Sequence, residues 1–91
     1  MGRVFRVEQE NARNYTKAIL EQLNAEFAAS GTDVKQVAAK LGIDYNTFRR
    51  YVNGERGMPM HVFWATLAAL DIAEDVFVRR ARERLDSAPA E

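Results

Sequence analysis

Apolar positions recur at three- and four-residue intervals along most of the chain, and no stretch sustains the alternation a half-buried strand needs. Ala12, Tyr15, Ile19, Leu23 and Phe27 form one such stripe and predict a helix over 11–30, which Gly31 ends by adopting a left-handed conformation. Val34, Val37, Ala38 and Leu41 predict a short second helix over 34–40, capped by Thr32 or Asp33. Gly42 then breaks the chain, Ile43 plugs the turn from its apolar side, and Asp44 caps a third helix over 45–53. In that helix Phe48, Tyr51 and Val52 face inward, while Tyr45, Asn46, Arg49, Arg50 and Asn53 fall on the solvent side. Asn53-Gly54 is a strong stop signal. After Pro59, Val62, Phe63, Trp64, Leu67 and Leu70 give a fourth helix (60–70) a broad apolar face. A fifth, over 74–87, places Phe77, Ala81 and Leu85 four apart, with Val78 alongside. The fold class is therefore all-α, a compact bundle of about five helices in one domain over 11–87. Residues 1–10 read as an extended or flexible arm and 88–91 as a frayed tail.

Composition narrows the function classes. The 91 residues contain no Cys, so disulfides and thiolate metal sites are excluded. No apolar run approaches the ~20 residues of a membrane span, and the N-terminus lacks the apolar core of a signal peptide, so a cytoplasmic protein is the expectation. Thirteen basic and thirteen acidic residues balance, which argues against a nucleic-acid partner. Their distribution softens that argument. Arg49, Arg50 and Arg56 cluster in the middle, Arg3, Arg6 and Arg13 lie early, and Asp71, Glu74 and Asp75 gather later. With a screening length of about 8 Å at physiological salt, a local patch is what a phosphate feels.

Catalysis finds little footing. No nucleophile stands beside an identifiable base, and Gly54 and Gly57 follow a helix rather than opening one after a strand, so no phosphate loop is present. His61 is a lone histidine with no partners for a metal. The expectation is a protein without catalytic residues, metal, cofactor or small-molecule substrate. Arg79, Arg80, Arg82 and Arg84 read as a solvated face paired with Asp75, Glu83 and Asp86 at helical spacings, ahead of the alternative of a second DNA contact. Trp64 reads as core rather than an interface anchor, and Met58 and Met60 as gap fillers beside Pro59. Val76, Phe77 and Leu85 suit either a dimer surface or packing onto the first helix.

Val37-Ala38, Leu41-Gly42-Ile43, Asn46-Thr47-Phe48, Val52-Asn53-Gly54, Arg56, Pro59 and the run from Leu67 to Ile72 together resemble the helix-turn-helix family of phage repressors and Cro proteins. The match covers about residues 32–72. It implies a sequence-specific regulator that binds double-stranded DNA, a repressor of phage-immunity or bacterial type, with the third helix in the major groove. The resemblance places base contacts at Tyr45, Asn46, Arg49 and Arg50. It places phosphate contacts at Lys35, Gln36, Thr47, Asn53, Gly54 and Arg56. Of these, Arg50 is the favoured single base contact, because a guanidinium fork can bond guanine O6 and N7 together. Arg3 and Arg6 suit a minor-groove arm; the competing reading packs Phe5 of that segment on the domain. Family members commonly dimerise on palindromic sites, so a homodimer on DNA is a further expectation.

The chain also departs from the family pattern. Val34 replaces a common phosphate-ordering glutamine, Glu55 stands where a basic residue is frequent, and Asp71 follows the fourth helix where glycine is usual. Phe27 and Val52 occupy the places of an ion pair found in some members, which predicts a dry contact. A second function class stays open: a protein-interaction module on the same scaffold, antitoxin-like or an anti-repressor adapter, favoured by the zero net charge and the apolar fourth helix.

Overall fold

A computed structural model describes residues 2–87, with side chains described from 12 to 86. Five helices follow one another: α1 (Gly2–Ser30), α2 (Val34–Leu41), α3 (Tyr45–Asn53), α4 (Met60–Ala69) and α5 (Glu74–Ser87). No strand occurs among the described residues, and no helix there is long and apolar enough to cross a membrane. The predicted boundaries of α2 to α5 hold to within a residue.

The first helix differs. Its backbone is helical from Gly2, where an extended arm was expected. Nothing between residues 2 and 11 breaks a helix except Gly2 itself, so the polar composition of that stretch does not prevent α1 from continuing through it. A helix of 29 residues is about 43 Å long, which matches the 44 Å long dimension of the molecule. The side chains of Arg3, Arg6 and Phe5 lie outside the described residues, as does the 88–91 tail.

Each connection is closed by local chemistry. Asp33 caps α2 by accepting from the Lys35 N–H, and Gln36 returns its Oε1 to the Asp33 N–H at 3.0 Å, a reciprocal capping box. Gly42 takes φ +70° and its N–H closes on α2, while Ile43 donates back to the Ala38 carbonyl at 2.9 Å. Asp44 then caps α3 through the Thr47 N–H at 3.2 Å. The turn between α2 and α3 is thus three residues long, 42–44. After α4 the chain reverses at Asp71, whose φ of 58° is the one positive value outside glycine among the described residues. Aspartate tolerates this region better than most side chains.

The core joins all five helices: Leu23 and Phe27 of α1, Val37 and Ala38 of α2, Phe48 and Val52 of α3, Val62, Leu67 and Leu70 of α4 with its end, and Phe77 and Ala81 of α5. Phe27 meets Phe48 edge-on at 6.4 Å, and Phe63 meets Phe77 edge-on at 5.4 Å. Phe27 and Val52, expected to meet in a dry contact, are both buried in this cluster. Ala38 is buried on α2, one turn before the turn into α3. Thr66 is fully buried too; its hydroxyl donates to the Val62 carbonyl at 2.7 Å, so the helix satisfies it without a tertiary partner.

Three expectations for the core fail. Ala12 is exposed on α1. Trp64 is 42% exposed and Met60 66% exposed, so neither is core. On α4 the buried positions are Val62, Thr66 and Leu67, and Trp64 falls beside that stripe.

Packing of α1 on α5 is the most extensive helix pairing, and it carries a polar seam the apolar pattern did not announce. Gln22 and Glu26 are buried. Gln22 Nε2 donates to Glu26 Oε2 at 2.7 Å, Arg80 Nη1 donates to the same oxygen at 2.8 Å, and Arg84 Nε donates to Gln22 Oε1 at 2.6 Å. The prediction that the α5 arginines pair along their own helix holds for Arg82 with Asp86, at 3.5 Å. Phe77, fully buried, faces the core and cannot serve a dimer surface.

Candidate functional site

The outward face of α3 gathers the four residues singled out for base contact. Asn46, Arg49 and Arg50 are exposed, and Tyr45 is 38% exposed. The opposite face explains why. Phe48 and Val52 are buried and Tyr51 is half-buried, so the helix is held from behind and its polar side has nowhere to go but solvent. Neither Arg49 nor Arg50 makes an ion pair among the described residues. Two guanidinium forks, an amide and a phenol therefore project from two turns of helix, with their donors uncommitted.

The residues expected to hold phosphates divide into two groups. Lys35 is exposed at the start of α2 with its side chain uncommitted among the described residues, and Asn53 is exposed at the end of α3. Gln36 is exposed, but its Oε1 is engaged in the capping box, leaving its amide NH2 as the donor. Thr47 is half-buried, and its backbone N–H is bound to Asp44.

Backbone amides around the site are mostly engaged within the chain. Gly54 N–H closes on the Arg50 and Tyr51 carbonyls, and the amides of Glu55 and Arg56 both reach the Arg50 carbonyl, at 2.9 and 3.3 Å. The loop after α3 thus uses these N–H groups to finish the helix, and Gly54 contributes shape rather than a donor. Two carboxylates, Asp33 and Asp44, occupy the starts of α2 and α3, where an incoming anion would meet them. Cationic side chains must supply the attraction that the helix ends do not.

Arg56 is exposed, but its Cζ lies 5.9 Å from the centre of the Tyr51 ring. It borders an apolar groove of about 380 Å³ that includes Leu20, Met58, Met60, Phe63, Trp64 and Val78. On the other side of the same loop, Asn53 and Gly54 border a second groove of about 560 Å³ against α1. Sequence reasoning missed both grooves. The signals for them were the exposed hydrophobes of α4 and the Arg13–Lys17 spacing of α1, and neither is informative until α1 is known to pass the end of α3.

Comparisons with protein-family models, with curated proteins and with solved structures each return no match.

Proposed function

We propose that this chain is a sequence-specific double-stranded DNA-binding regulator of the phage or bacterial repressor type, acting in the cytoplasm as a binding protein and not an enzyme. In this reading α3 enters the major groove, which is wide enough to admit a helix. One observation carries it: Tyr45, Asn46, Arg49 and Arg50 share the exposed face of a short helix whose other face is locked into the core. Arg50 and Arg49 offer forks for guanine, Asn46 suits adenine N6 and N7, and Tyr45 suits a thymine methyl or a phosphate. Lys35, Asn53, the Gln36 amide and Arg56 would position the duplex without reading it.

Selection from random duplexes followed by titration at several salt concentrations tests the proposal. A preferred sequence and a steep fall of affinity with salt are expected. Binding without sequence preference, or no binding, refutes it.

The apolar groove supports a second reading, a protein-interaction module, because Trp64 and Met60 are exposed together and the net charge is zero. Two variants separate the readings. Arg49→Ala with Arg50→Ala should abolish duplex selection under the first reading, whereas Trp64→Ala with Met60→Ala should leave it intact.

A further inference from the structure

The N-terminal half of α1 is not accounted for by the face of α3. It runs past the end of that helix from residues 20–24, which two contacts hold against α3. Asn24 Nδ2 donates both to the Leu20 carbonyl of its own helix at 2.9 Å and to the Val52 carbonyl of α3 at 3.3 Å. A side chain added at Gly54 would come within 3.0 Å of Leu20 Cδ1, so the loop tip presses directly on α1. One and two turns before Leu20 stand Lys17 and Arg13, both exposed, both bordering the groove of about 560 Å³ with Asn53 and Gly54.

We propose that Arg13 and Lys17 form a phosphate-binding clamp for the DNA strand flanking the stretch read by α3. The proposal rests on the α3 reading given above and extends it to a second surface. Like charges four apart on a helix repel by a few tenths of a kcal/mol, and neither residue has an ion-pair partner among the described residues. An anion between them relieves that repulsion. Their Cα atoms are separated by about 6 Å along the helix axis, so two long side chains can bracket one phosphate or hold adjacent ones. Glu21 borders the inner end of the groove and disfavours an anion there, which places the strand at the outer, Arg13 end. The last carbonyls of α3 carry a partial negative charge that would repel a strand running past them, and the two cations offset it.

The test uses the duplex selected by the full chain. Each phosphate contact contributes about 0.9 to the slope of log affinity against log salt. The Arg13→Ala, Lys17→Ala double variant should therefore lose about 1.8 of slope, equivalent to roughly tenfold in salt sensitivity between 50 and 200 mM, while its preference for the selected sequence over a scrambled one stays the same. The reversal Arg13→Glu with Lys17→Glu should weaken binding further at every salt concentration, and unchanged circular dichroism melts certify the fold of both variants. Arg82→Ala removes a cation outside this groove and should leave the slope unaltered. An unchanged slope in the double variant overturns the clamp, as does an equal loss in Arg82→Ala, which would mean that total charge rather than position matters. If Arg49→Ala with Arg50→Ala abolishes sequence preference while the double variant behaves as wild type, the α3 reading stands and the clamp alone falls. If the wild-type chain fails to bind duplex, both fall together.

Discussion

Two helices that each carry an adjacent pair of arginines, α3 and α5, end in opposite situations. In α3, Arg49 and Arg50 project from the bundle with no ion pair among the described residues. In α5, Arg80 and Arg84 are tied across to α1, through buried Glu26 and Gln22. A guanidinium with a partner inside its own chain is a structural group. One without a partner has its donors available to something else. The difference lies in what the neighbouring helix presents: α1 turns a carboxylate and an amide toward α5, but at the end of α3 it makes one side-chain hydrogen bond among the described residues, from Asn24, and sets the cations Arg13 and Lys17 alongside.

The largest effect should come from dissolving the α1–α5 side of the comparison. Phe77 is fully buried where α5 meets the core, and Phe77→Ala should lower stability by about 3–5 kcal/mol, seen in urea unfolding. In a domain this small such a loss should also abolish duplex binding. Next, Arg50→Ala should remove about 1–3 kcal/mol of discrimination at a single base pair, read from selected against substituted duplexes, with stability within about 0.5 kcal/mol of wild type. If that variant retains the full preference, Arg50 is not the reading residue. Arg80→Ala should show the reverse pattern. It leaves the Glu26 carboxylate buried with Gln22 as its remaining partner, which should cost about 1–2 kcal/mol of stability, while sequence preference is unaffected. Smallest of all, Arg82→Ala removes an exposed pair with Asp86 and should change unfolding free energy by less than about 0.5 kcal/mol. A larger loss there would mean that α5 depends on its surface charges, and the contrast with Arg80 would disappear.

How far the chain is legible in advance differs between its elements for identifiable reasons. The ends of α2 and α3 are readable because Asp33, Gly42, Asp44 and Gly54 act on backbone groups within a few residues of themselves. The α3 surface is readable because the opposite face is apolar at helical spacing. The start of α1 is not: a polar, arginine-bearing stretch resembles an arm unless the helix behind it is known to continue. The exposure of Trp64 is not readable either. In a helix as apolar as α4, spacing alone cannot identify which large side chain will lie beside the buried stripe rather than within it. The seam of Gln22, Glu26, Arg80 and Arg84 joins residues more than fifty positions apart, beyond the reach of any periodicity.

Taken by itself, then, the amino-acid order determined what is settled locally: five helices, the caps of α2 and α3, the left-handed glycine turns, and a polar face on α3 backed by Phe48 and Val52. Tertiary structure decided which of the charged side chains acquire partners, where Trp64 and Met60 emerge, and that Arg13 and Lys17 stand beside the end of α3. The physical reason is range. Hydrogen bonds within a helix and side-chain caps act over about four residues, whereas the pairing of an ion and the exposure of a surface depend on which distant helix is packed alongside.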